Sequence, residues 1–85
     1  MVREGDLVAV FNSIHRVMKA EKVLKERRLD ILLIPAPRSL QSDCGLAIRY
    51  SETDREAVEN ALTEAQLVPE ELYRKSGEEF IRLTD

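Results

Sequence analysis

Two short apolar runs, Ile31-Leu32-Leu33-Ile34 and Leu46-Ala47-Ile48, are separated by the eleven residues Pro35 to Gly45. Each run has the length and composition of a strand. A connection between neighbouring strands usually takes about two to five residues. This one is longer and is stiffened by Pro35 and Pro37. It ends with the only cysteine of the chain, Cys44, beside Gly45. Over-long connections in compact domains tend to carry function. The chain must therefore pair two strands while disposing of a long, rigid loop that carries a thiol.

The rest of the chain supplies the partners for that pair. Leu7-Val8-Ala9-Val10-Phe11 is a continuous apolar run and reads as a buried strand. Asn12 or Ser13 offers an N-cap oxygen. Ile14, Val17, Met18 and Leu24 then recur at helical spacing, widened by Ala20 and Val23, which predicts a helix over residues 13–28. Lys25, Arg27 and Arg28 crowd its last turns, where positive charge suits the helix dipole. Asp30 to Ile34 is the second strand and Gly45 to Tyr50 the third. A second helix begins within Ser51-Glu52-Thr53-Asp54, where Thr53 with Glu56 and Ser51 with Asp54 have capping-box spacing. Its inward stripe is Val58, Ala61, Leu62 and Ala65, and it ends before Pro69. Glu71 to Lys75 reads as a fourth strand, broken by Gly77, followed by a tail containing Phe80, Ile81 and Leu83.

This order predicts an α+β, ferredoxin-like βαββαβ fold: a four-stranded antiparallel sheet in order 4-1-3-2 with two helices on one face. Residues 1–85 form one domain, with a core over about 7–76 and a tail over 77–85. No run reaches the ~18 apolar residues of a membrane span, and the polar start Met1-Val2-Arg3-Glu4-Gly5-Asp6 lacks a signal-peptide pattern, so a cytoplasmic protein is expected. Net charge is -3 with no basic stripe, and four aromatic residues are too few for a base-stacking platform, which argues against nucleic acid. One cysteine and one histidine do not complete a structural zinc site, so no metal is expected.

The expected topology has a chemical consequence. Strand 3 lies beside strand 1, so Cys44 should sit near the N-terminus of the first helix, where Ser13 and His15 are. That terminus offers unpaired N–H groups and partial positive charge, which favour a thiolate or a bound oxyanion. His15 would add charge or accept the thiol proton. Arg38 would neutralise a further negative charge, Gly45 would let a partner approach the sulfur, and Pro35 and Pro37 would pre-organise the loop. Ser42 and Asp43 complete the candidate set. Leu40 is assigned as an outward apolar contact for a docked protein. Each residue also has a structural role open to it. Cys44 would plug the core edge, His15 would be a surface residue, and Arg38 would be solvated or paired with Asp43. Asp43 and Glu21 would be caps or ion-pair members.

The segments Phe11-Asn12-Ser13-Ile14-His15, Ala20-Glu21-Lys22, Ile34-Pro35-Ala36-Pro37-Arg38 and Ser42-Asp43-Cys44-Gly45-Leu46 resemble the selenium/sulfur-carrier-like family of small bacterial proteins. The resemblance spans about residues 7–50. It departs from the family pattern at Ile14, where threonine is usual, and at Gln41, where serine is common. It implies a carrier rather than a turnover enzyme, with Cys44 holding sulfur or selenium as a persulfide-type adduct. No resident cofactor is implied. The partners would be donor and acceptor proteins, with no membrane, and a homodimer is left open. The alternatives are a non-covalent small-anion-binding module, with Cys44 as a lining residue, and a regulatory protein-interaction module.

Overall fold

The computed structural model describes residues 2–40 and 44–84. The elements are β1 (Leu7–Val10), α1 (Ile14–Glu26), β2 (Ile31–Pro35), β3 (Leu46–Tyr50), a 3-10 turn (Glu52–Asp54), α2 (Arg55–Glu64), β4 (Glu71–Ser76) and β5 (Glu79–Arg82). They form an α+β architecture with one antiparallel sheet in the order β2-β3-β1-β4-β5. The expectation of four strands is corrected here to five. Gly77 does not end the sheet. It takes φ +64 in the tight turn between β4 and β5, a conformation that costs glycine little, and the tail returns along β4.

The helices start and stop for local reasons. Ser13 caps α1, its hydroxyl accepting from the Arg16 N–H at 3.1 Å, so of the two N-cap candidates Ser13 is the one used. At the other end Arg28 takes φ 60, Leu29 N–H donates to the Leu24 carbonyl and Arg28 N–H to that of Lys25. α2 ends the same way: Gln66 takes φ 59, Leu67 N–H donates to Leu62 and Gln66 N–H to Thr63. Both ends are Schellman motifs built without glycine. The capping boxes expected for the second helix are not used. A 3-10 turn precedes α2, its N-cap Asp54 makes no side-chain cap bond, and the Ser51 hydroxyl donates to the Asp54 carboxylate at 3.3 Å.

Strand alternation divides the core in two. Leu7, Ala9, Phe11, Ile31, Ile48, Tyr50 and Leu72 pack with Val17, Ala20 and Leu24 of α1 and Val58, Ala61 and Leu62 of α2. Val8, Val10, Ile34 and Ala47 face the other way, and Leu40 packs against them with Val2, Ala36, Tyr73 and Phe80 around the edge. Leu40 is 7% exposed, so its expected role as an outward contact is overturned. The reason is that β1 is apolar on both faces. Helices cover one face, and the Pro37–Leu40 turn packs beneath the other.

Leu40→Ala is expected to cost about 2–4 kcal/mol of stability, as removal of a buried leucine side chain does. Urea denaturation measures it. A midpoint equal to the parent's would show that the loop does not seal that face.

Candidate functional site

Pro35 is the last residue of β2 and pairs with Leu46 in the sheet register. The Ala36 N–H donates to the Gly45 carbonyl at 2.9 Å, which closes the neck of the connection. Beyond the neck, Leu40 N–H donates to the Pro37 carbonyl at 2.9 Å, making a turn over Pro37–Leu40 whose leucine points inward. Arg38 and Ser39 stand exposed on that turn. Ser42 and Asp43, both expected at the site, lie outside the described residues, as does Gln41.

The chain re-enters the sheet through Cys44 and Gly45. Gly45 has φ +74, and a Cβ built there would meet nothing within 4 Å. Glycine is thus needed for backbone conformation, with open space beside it. Cys44 is half-buried and packs against the helix-side core. Its Sγ lies 3.4 Å from the Leu46 carbonyl oxygen and 3.6 Å from that of Phe11. Both oxygens accept, so they suit a protonated S–H. Phe11 is the last residue before the turn into α1, two positions ahead of the N-cap Ser13. The thiol therefore sits at the end of the sheet where β1 hands the chain to α1.

Further contacts fix that end of the sheet. The Asn12 N–H donates to the Glu70 carboxylate at 3.0 Å, and the Glu70 N–H donates to the Val10 carbonyl at 2.9 Å. Arg16, in the first turn of α1, donates through Nη2 to the Val68 carbonyl at 3.0 Å while its Nε is enclosed without a hydrogen-bond partner. Sequence reading assigned Arg38 as the local cation and gave Arg16 no role at this end. His15 is exposed on the first turn of α1. Glu21, expected as a cap or ion-pair member, pairs with Lys25 at 3.2 Å. Among the described residues, no group of three or more His, Cys, Asp or Glu side chains is placed to hold a metal ion. Among the same residues, no helix is long and apolar enough to cross a membrane.

Two polar clusters at the opposite end of β1 and β3 were not legible in the sequence. Asp6, 6% exposed, accepts from Arg49 Nε at 2.9 Å and from the Arg3 N–H at 2.8 Å. The pair joins residues 43 positions apart, and no local pattern announces it. Tyr50, fully buried, donates its hydroxyl to Glu59 at 3.3 Å, and Arg55 Nε donates to the same carboxylate oxygen at 2.9 Å. Burial, reinforced by the Glu59 charge, pushes the Tyr50 hydroxyl well above the usual phenol range. Tyr50, Arg55 and Glu59 also line a cavity of about 270 Å³ with Leu62, Pro69 and Leu83.

A family model described as "Putative Se/S carrier protein-like" matches residues 6–74. No curated protein and no solved structure matches the chain.

The raised Tyr50 hydroxyl makes stability pH-dependent in a stated direction. The unfolded chain loses the tyrosine proton first, so stability is complete below the ordinary phenol range and falls as pH rises through it. In a Tyr73→Phe background, tyrosinate absorbance is expected to appear only together with loss of the circular dichroism of the fold. Titration near the ordinary phenol value with the fold intact would contradict the buried hydroxyl.

Proposed function

Because the chain belongs to the Se/S carrier protein-like family, we propose that it carries sulfur or selenium as a persulfide-type adduct on Cys44 and delivers it to an acceptor protein. One observation carries this reading. The family match spans the thiol and the strand-to-helix junction, and Cys44 lies at that junction, half-buried, beside a glycine with open space around it.

The chemistry needs no net oxidation. The Cys44 sulfur, its proton released to solvent, attacks the outer sulfur of a persulfide on the donor. A new S–S bond forms at Cys44, the donor's S–S bond breaks, and the donor's inner sulfur leaves as a thiolate. Delivery reverses the roles, with an acceptor nucleophile attacking the outer atom now held on Cys44. Selenium follows the same course through an S–Se bond.

The surroundings suit such a cycle. While unloaded, the thiol is occupied as a donor to the Phe11 and Leu46 carbonyls. Loading removes the S–H and places an anionic terminal atom on the sulfur, which those carbonyls do not stabilise. The adduct therefore swings away from them, toward the open side at Gly45. The first turn of α1 begins three residues after Phe11, whose carbonyl Cys44 approaches, and offers N–H groups and partial positive charge for that anion. Exposed Arg38 is a second source of positive charge, and Pro35 and Pro37 hold the loop around it. A lone thiol that must remain reduced between loadings fits a cytoplasmic protein. The cargo is covalent, and no resident cofactor enters the cycle.

Intact-mass measurement after incubation with a cysteine desulfurase and cysteine, or with inorganic tetrasulfide, tests the assignment. The parent chain is expected to gain one sulfur atom that dithiothreitol removes, and Cys44→Ser to gain none. A parent chain that stays unmodified under both treatments would refute the carrier role. So would equal loading of Cys44→Ser.

A further inference from the structure

The loop was the expected contact surface for a protein partner, but its Leu40 is turned into the core. The charge distribution points to a different face for the donor. Residues 14–28, α1 and its C-terminal cap, hold six basic side chains against two acidic ones. That stretch is +4 in a chain of net -3, so the remainder is -7. The neighbouring helix has the opposite character: Glu52, Asp54, Glu56, Glu59 and Glu64 surround a single Arg55 across residues 52–64. The two helices lie side by side, joined by an Arg27–Glu64 ion pair of 2.7 Å.

α1 buries Val17, Ala20 and Leu24. At 100° per residue the opposite side presents His15, Met18, Lys19, Lys22 and, at its C-terminal end, Glu26, with Ile14 and Lys25 along one flank. His15, Lys19, Lys22 and Lys25 are all exposed. Ile14 and Met18, one turn apart, are each 45% exposed and form one short apolar strip on that side. Ile14 is the first helical residue, three positions after the Phe11 carbonyl that Cys44 approaches. Met18 and Lys22 follow at about 6 and 12 Å along the axis. The apolar pair is flanked by Lys19 and Lys22, with Lys25 held by Glu21 at 3.2 Å, and the strip begins at the thiol end of the fold.

We infer that the outer face of α1 is the docking surface for the persulfide-donor protein. The donor's matching surface is acidic around an apolar centre that takes Ile14 and Met18. The inference rests on the carrier role and names the partner's chemistry. Acidic α2 repels the same surface, which fixes the side from which the donor approaches and keeps its persulfide at the Cys44 end. Such complementarity acts chiefly on the rate of encounter, by factors of roughly ten to a thousand.

The test separates docking from chemistry. Tagged parent chain and Lys19→Glu/Lys22→Glu are each expressed in the native host. They are isolated with immediate alkylation, and the fraction of Cys44 carrying sulfur is read by intact mass. Both are also loaded in vitro with inorganic tetrasulfide, which needs no protein surface: the Cys44 thiolate takes one sulfur and trisulfide leaves. The expected result is a loaded fraction in the host reduced roughly tenfold or more in the variant, with equal loading by tetrasulfide. Met18→Glu, which keeps the lysines, is expected to lose host loading too. Circular dichroism of each variant checks that the helix is intact. Equal host loading of parent and variants would overturn the inference. So would variants that fail with tetrasulfide, or a parent loaded by tetrasulfide but never in the host. A parent loaded by neither route would instead overturn the carrier role itself, a distinct result.

Discussion

The structure depends on one constraint: β1 is apolar on both faces and lies in the middle of the sheet. Leu7, Val8, Ala9, Val10 and Phe11 are all at most 3% exposed. A strand alternates its side chains between the two faces, so burying all five demands a cover on each side. Two helices seal one side. Among the described residues there is no third helix for the other, and the turn over Pro37–Leu40 lies there with Leu40 as its plug. Leu40 closes the centre of that face, over Val8, Val10, Ile34 and Ala47, and Val2, Ala36, Tyr73 and Phe80 border it.

The thiol's position is a consequence of the same packing. A loop held at one point by Leu40 and closed at its neck by the Ala36–Gly45 hydrogen bond re-enters the sheet at a fixed place. Cys44 is at that place, and the Phe11 carbonyl opposite it is where β1 gives way to the turn before α1. Stability and site geometry thus share a segment. Leu40 is part of the core, and the Ala36–Gly45 hydrogen bond sets the register at which Cys44 enters β3. Arg38 and Ser39 remain exposed on the turn, and Ile14 and Met18 of α1 are exposed as well.

Much of this was legible in the sequence where the signal was periodic or local. The continuous run Leu7–Phe11 identified a buried strand, and the structure shows that it is buried on both faces. The stripe Ile14, Val17, Met18 and Leu24 identified α1, although only part of it is buried: Val17 and Leu24 face inward, while Ile14 and Met18 lie toward solvent. Ser13 was one of two N-cap candidates and is the residue used. What failed had no periodic signature. Leu40 is one apolar residue among polar and turn-forming neighbours, so composition placed it outside. β5 is four residues with one partly buried side chain, too short to announce alternation. The Asp6–Arg49 pair brings together distant residues that only the β1–β3 register makes neighbours. The helix C-termini were blurred because arginine and glutamine, not glycine, take the left-handed positions.

The account makes Cys44 a holder of transferable, zero-valent sulfur, and cyanolysis of the loaded chain tests that most directly. Cyanide attacks the outer sulfur of a persulfide, leaves as thiocyanate with that atom and returns the cysteine thiolate. The account expects one thiocyanate per loaded chain and restoration of the original mass, with none from Cys44→Ser. Sulfur that stays on the chain through cyanide treatment, or thiocyanate released in equal amount from Cys44→Ser, would contradict it.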